Sequence, residues 1–188
     1  MYHISKDARA RKSATLICNA VLELAQTKKL DYINVSDIQK QSTVSRSTFY
    51  RLFDNIMDVL AYMCDQMVDA TTRKADEKFE SSRREAMLSI ISNGMENSAL
   101  LQVLVENNHV DILYRSYLKH AEDIVKQVDS DLTTDDAVAQ YLIHDMPIFV
   151  SSMFHTWVSR GQRETPEELY EIFKKCFSYG AAMFGAND

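Results

Sequence analysis

Apolar residues in this chain return at steps of three and four almost everywhere, and no run alternates with the period of a strand. The first stripe, Ala10, Ala14, Ile17, Cys18, Val21, Leu22 and Ala25, marks one face of a helix over residues 6–28. Val59, Leu60, Tyr62, Met63, Met67, Val68 and Ala70 do the same over residues 55–79. Only 4 glycines and 2 prolines stand among 188 residues, too few for repeated hairpins or a Gly-looped nucleotide fold. The pattern predicts an all-α chain of about nine helices with a substantial buried core.

The local signals divide that chain. Ser36 reads as an N-cap with Gln39 three residues on, opening a two-turn helix over 37–41 whose Ile38 faces inward. Ser42, Thr43 and Val44 form a break. Ser45 is a second N-cap, and the helix over 46–52 turns Phe49, with Phe53 beyond it, to one side. Two short helices joined by a turn of about three residues make a helix-turn-helix unit, with Val44 as the plug between them. Asp54 reads as the cap of the following helix, so the expected division is a helix-turn-helix head, residues 1–54, and a helical bundle, residues 55–188.

Within the bundle the pattern predicts a helix over 84–91 broken near Asn93 and Gly94, another over 98–105, and a longer one over 110–128. A polar loop over 129–134 ends at a cap, Thr134. The strongly apolar helix over 135–160 contains Pro147, which is expected to kink or loosen it. Gly161 reads as its C′ residue. Thr165 caps the last helix, with Pro166 at its first position and Glu167 and Glu168 in its first turn.

Charge is distributed unevenly. The net charge is -6, yet in residues 1–53 Lys and Arg outnumber Asp and Glu by 9 to 4, and the excess reverses beyond. A basic head on an acidic body is the pattern of a small nucleic-acid reader attached to something else. No apolar run approaches a membrane span, and the polar first residues carry no secretory signal. Cys18, Cys64 and Cys176 are odd in number and far apart, which fits reduced thiols in the cytoplasm. The 5 histidines show no paired ligand spacing, so neither a metal nor a cofactor is expected.

Residues 11–60 resemble the DNA-binding head of the TetR/AcrR family of bacterial transcriptional regulators. The resemblance rests on the apolar first helix, on Ile33-Asn34-Val35-Ser36-Asp37-Ile38, on Val44-Ser45-Arg46-Ser47-Thr48-Phe49-Tyr50, and on Phe53. Trp157, Gly161 and Thr165-Pro166-Glu167-Glu168-Leu169 look like the junction before that family's last helix. The tail is similar to a subgroup related to activators of dihydroxyacetone-utilisation operons. Two positions depart from the family pattern. Thr43 stands where Gly is usual in the turn, and Ile56-Met57 replace the usual Lys-Glu opening the fourth helix.

A recognition helix presents short polar groups and guanidinium groups to base edges and phosphates while its other face holds the core. Arg46, Ser47, Thr48, Tyr50 and Arg51 supply that set, and the resemblance implies that Tyr50 binds phosphate through its hydroxyl. Ser36, Thr43 and Ser45 at the helix ends, with Lys6, Arg9 and Lys12 on the first helix, complete the expected DNA contacts. The resemblance also implies a homodimer, formed by the last two helices, that binds a palindromic operator in double-stranded DNA. Its expected surface comprises Ile148, Phe149, Ser152, Met153, Thr156, Phe173, Phe177, Gly180, Ala181 and Phe184.

For a small-molecule effector, apolar or aromatic, the expected pocket residues are Tyr62, Met63, Met67, Met87, Met95, Leu104, Tyr114, Tyr117, His120, Met146 and Trp157, because Met and aromatics suit adaptable apolar cavities. The leading expectation is therefore a TetR-like regulator, a repressor in the majority behaviour of that family. An activator of the same build, or a protein-interaction module with a degenerate head, are the competing readings. An enzyme is disfavoured because no nucleophile–base pair, paired-carboxylate motif or phosphate loop is found.

Overall fold

The computed structural model describes residues 1–5, 7–79, 83–122, 136–183 and 185. Among these residues it contains nine α-helices and no strand longer than a single bridge. They are α1 (Ala8–Ala25), α2 (Val35–Ser42), α3 (Arg46–Leu52), α4 (Ile56–Phe79), α5 (Arg83–Glu96), α6 (Ser98–Glu106), α7 (Val110–Leu118), α8 (Ala137–Ser159) and α9 (Pro166–Met183), with a 3₁₀ turn at Leu30–Tyr32. The all-α expectation holds.

Helix ends follow from side-chain caps. Asp7 accepts the Arg9 and Ala10 amides and starts α1 two residues later than the periodicity suggests. The start of α2 differs too. Asn34, not Ser36, is its N-cap: the Asn34 side chain accepts from the Asp37 amide while the Asp37 carboxylate accepts from the Asn34 amide. Lys28 Nζ lies 2.6 Å from Asp37 and fixes that carboxylate. Likewise Asn55 rather than Asp54 caps α4, its Oδ1 accepting from the Asp58 amide at 3.0 Å. Ser45 caps α3 as expected, accepting from Thr48 N at 3.2 Å.

The expected break at Asn93 and Gly94 is absent, and α5 runs on to Glu96. Gly94 serves packing instead of chain reversal, since a Cβ there would overlap the ring of Phe154 from α8. Asn93 is turned inward, donating to Met67 O at 2.9 Å and Thr71 Oγ1 at 2.5 Å, which ties α5 to α4. The expected helix over 110–128 ends as α7 at Leu118, and its later part falls outside the described residues, as do the loop over 129–134 and Thr134. Asp136 caps α8 by accepting from Val138 N at 2.7 Å.

One helix, α8, spans both sides of the buried Pro147. It ends as the sequence indicates. The Gly161 amide donates to Val158 O, the Gln162 amide to Trp157 O, both at 2.9 Å, and Gly161 has φ +84°. Thr165 and Glu168 form the reciprocal cap of α9.

One apolar cluster runs through the molecule. In the head, Ile17 and Val21 of α1, Ile38 of α2, Val44 of the turn, and Phe49 and Phe53 close a small core. The same cluster continues through Leu60, Cys64 and Val68 of α4 to Ile91, Leu100, Leu113 and Phe154. Helix α4 is thus shared, packing on α1 at one end and on α5 and α7 along its length. A second link joins the same parts. Tyr2 bridges to Phe53 beside a His3 N–Leu52 O hydrogen bond of 2.8 Å, and its hydroxyl donates to Asp65 of α4 at 2.6 Å.

Asp65 is 6% exposed and also accepts from Lys119, just beyond α7, at 2.5 Å. Burial alone would raise its carboxyl pKa, but the hydrogen bonds from Lys119, Tyr2 and Ser116 outweigh it and hold the group below the usual carboxylate range.

Candidate nucleic-acid interface

The turn between α2 and α3 sets the geometry of this end. Thr43 lies in the left-handed region, φ 59° and ψ 7°, with its amide donating to Gln39 O at 3.0 Å. Val44 is buried beneath it, as expected of the plug. Ser42 Oγ accepts from Val44 N at 3.2 Å, so the reversal is tied on both sides.

From there α3 divides cleanly. Phe49 and Leu52 are 1% and 2% exposed, whereas Arg46, Ser47, Tyr50 and Arg51 face solvent and Thr48 is partly covered. The hydroxyls of Ser45, Ser47 and Thr48 lie together, 3.0 and 2.9 Å from Ser45 Oγ respectively. Arg46 rests over the Tyr50 ring, its guanidinium carbon 5.6 Å from the centroid and Nη2 3.4 Å from the hydroxyl. Tyr50 is braced in turn by an edge contact with Phe49 at 5.5 Å.

Arg9 and Lys12 are exposed on α1, while Lys6 lies outside the described residues. A groove of about 680 Å³ brings Ser36, Arg46 and Tyr50 together and adds Lys40, which the sequence reading missed. Lys40 follows Ser36 by four residues, so the two share a face of α2, and that spacing was the available signal. The far wall of the groove holds Asn55, Ile56 and Met57, placing the apolar pair that replaces Lys-Glu directly beside the recognition helix.

No protein-family model matches the sequence, and no curated protein does. Solved structures do. The chain is similar to Lin0861 from Listeria innocua, at 16% identity and TM-score 0.79, with 94% of this chain and 95% of that one covered. It is similar to a TetR-family regulator from Syntrophomonas wolfei at 16% identity and TM-score 0.71, covering 92% and 96% of the two chains. A TetR transcriptional regulator from Streptococcus agalactiae matches at 18% identity and TM-score 0.58, over 89% and 94%. The chain has the TetR fold.

At the opposite end of this TetR fold, α8 and α9 flank an apolar groove of about 490 Å³ lined by Phe149, Ser152, Met153, Thr156 and Phe173 from the expected dimer surface. Trp157, Leu169, Ile172 and Cys176 complete its apolar walls, and the ion pair Arg160–Glu164, at 3.0 Å, also lines it. Phe177 stacks between Phe149 and Phe173, 4.8 Å from each ring centroid, yet stays 41% exposed, and Ile148 is 52% exposed. Nothing would meet a Cβ at Gly180, so the backbone there is open to close approach. The Ala181 side chain and Phe184 lie outside the described residues.

The eleven expected effector residues do not surround one cavity. Tyr62, Met63 and Met67 line a cleft between α1, α4 and α5, whereas Trp157 lines the α8–α9 groove and donates to Glu164 O at 3.2 Å. Leu104 and Tyr117 are core, 1% and 3% exposed. Burial pushes the Tyr117 phenol well above its ordinary pKa, and its hydroxyl has no hydrogen-bond partner among the described residues.

Met87 and Met95 pack against the core cluster from its edge, and Met146 is half-buried on α8. Tyr114 lies 3.4 Å from the exposed His144, and His120 Nε2 lies 2.9 Å from Asp69. No helix among the described residues is long and apolar enough to cross a membrane, and no group of three or more His, Cys, Asp or Glu there could hold a metal.

Proposed function

We propose that the chain is a DNA-binding transcriptional regulator that reads a palindromic operator as a homodimer and represses until a small effector binds. The observation that carries this reading is α3. Its Phe49 and Leu52 are locked into the core while Arg46, Ser47, Tyr50 and Arg51 are free to enter a major groove. Ser36 and Ser45, at or near helix N-termini, and Lys40, Arg9 and Lys12 around them suit phosphate contacts.

A second subunit supports specificity, because one seven-residue helix touches few base pairs. The exposed Ile148, Phe149 and Phe177 on α8 and α9 are the surface we assign to it. An effector preferring one spacing of the two heads would shift affinity for the operator.

Selection of bound sequences from a random duplex pool at two salt concentrations tests the proposal. An enriched palindrome whose affinity falls steeply with salt is the expected result, since neutralised phosphates release counterions. A well-folded dimer with no enrichment would favour the interaction-module reading. That reading draws on Thr43 and on the apolar Ile56 and Met57 beside α3.

A further inference from the structure

The recognition helix is too short to secure its own end. Two turns give α3 few internal bonds, and the carbonyls at its C-terminus need donors from elsewhere. Leu52 O takes one from outside the helix, the His3 amide at 2.8 Å. That amide belongs to an extended segment, residues 1–5, in which Tyr2 and Ile4 pack on the core while His3 and Ser5 face solvent. His3 Nε2 also lies 3.1 Å from Asp54 Oδ1, just past the helix.

Tyr2 faces Phe53, the residue that ends α3, across the single antiparallel bridge. Its ring meets Tyr62 of α4 edge-on at 5.3 Å, and Tyr62 meets Phe53 at 5.8 Å. Its hydroxyl reaches further along α4 and donates to Asp65 Oδ2 at 2.6 Å, the same oxygen that takes Lys119 Nζ at 2.5 Å. Burial and the bond to Asp65 push the Tyr2 phenol well above its ordinary pKa, so it stays a donor. The carboxylate, 6% exposed, leans on its donors, of which Lys119 is the charged one. Without that ammonium the buried carboxyl is driven toward protonation or out to water, and in either form it accepts less well from Tyr2.

We propose that Tyr2 is a positioning residue for the recognition helix: it fixes the end of α3 to α4, and Asp65 makes that grip depend on Lys119 at the end of α7. What the grip serves, the presentation of α3 to DNA, rests on the regulator reading above. A change that draws Lys119 off Asp65 then loosens the last turn of α3, where Arg51 stands. This route is separate from the core contacts that α3 makes through Phe49 and Leu52.

The test is amide hydrogen exchange, followed by NMR, in the folded protein and its Tyr2→Phe variant, which keeps the ring and loses only the hydroxyl. The Arg51, Leu52 and Phe53 amides are expected to open locally, faster than the slowest amides, which need global unfolding. Tyr2→Phe should speed these three about tenfold (about 1.4 kcal/mol), near the low end for a hydrogen bond to a charged group. Lys119→Met should speed them too, and should add nothing once Tyr2 is Phe. Arg115→Met, which removes only the exposed Arg115–Asp111 pair on α7, should leave them unmoved.

If Tyr2 merely adds stability, only the slowest amides will speed up and the end of α3 will keep its rate. That result, additive effects of Tyr2→Phe and Lys119→Met, or an α3 that opens only with the whole molecule would each overturn the proposal. The exchange uses protein alone, so a negative result there leaves the operator reading intact, and a failed operator selection leaves the grip on α3 intact.

Discussion

At Thr43 a β-branched residue holds φ 59°, a conformation that favours glycine. The side chain is exposed and, among the described residues, makes no hydrogen bond that would repay the strain. Thr43→Gly is therefore expected to stabilise the protein by about 1 kcal/mol, the left-handed penalty less the added unfolded-state entropy of glycine. Urea denaturation with an unchanged slope would read this out. A loss of stability would show that Thr43 is not strained.

The turn was legible because Gly is usual there and Thr was seen to depart from it. Gly94 was not legible. Its neighbours suggested a break, and only the Phe154 ring sixty residues on explains it. Asp65 was equally silent in the sequence, lying on the α4 stripe as one more acid.

Its depressed pKa places a stabilisation above the ordinary carboxylate range, lost as pH falls through the folded value. Lys119→Met removes a donor and raises that pKa. The variant should lose about 1–2 kcal/mol at pH 7, discounted because Lys119 is half exposed, and the gap from wild type should close below about pH 4. Thermal unfolding across that range measures it, and a gap independent of pH would remove Asp65 from the account.

Caps decide the elements. Ser45, Gly161 and Thr165 could be placed from sequence because each stands alone at its helix end with its partner at the right spacing. At α2 two capping residues, Asn34 and Ser36, compete, and the winner is set by Asp37, which Lys28 holds from another element. Asn34→Ala is accordingly expected to cost about 1 kcal/mol, and Ser36→Ala only a few tenths. Equal losses in paired chemical denaturation would contradict the assignment.

On α3 the inward Phe49 and the outward Arg46, Ser47, Tyr50 and Arg51 were legible, but the buried Leu52 was not singled out. Arg46 lies in its first turn, which in the proposed reading is the part nearest base edges. Arg46→Ala should weaken the selected operator by about 1–3 kcal/mol and relax one position of it. Uniform weakening on all duplexes would instead make Arg46 a phosphate ligand.

For the whole molecule, the all-α build could be read from periodicity, whereas the face of α8 and α9 was singled out by the family resemblance. The scatter of the residues expected to line one pocket could not be read, because a Met or aromatic at helical spacing looks the same in a core as beside a cavity. Phe177 illustrates the difference. It is packed on two rings and still 41% exposed, with Ile148 and Phe149 of α8 exposed as well. Phe177→Glu should convert a dimer to monomers in sedimentation while leaving helicity unchanged. A dimer that persists would move the interface elsewhere.

The ring of Phe154 occupies the space that any side chain at position 94 would need. It works as a key in a slot cut across α5. The two helices pack on each other little elsewhere, so this one ring sets how closely α8 can lie against α5. Helix α4 is held differently, by packing on α5 and α7 along its length. Enlarging residue 94 is therefore expected to push α8 off α5 at that point while leaving the head core to its own helices.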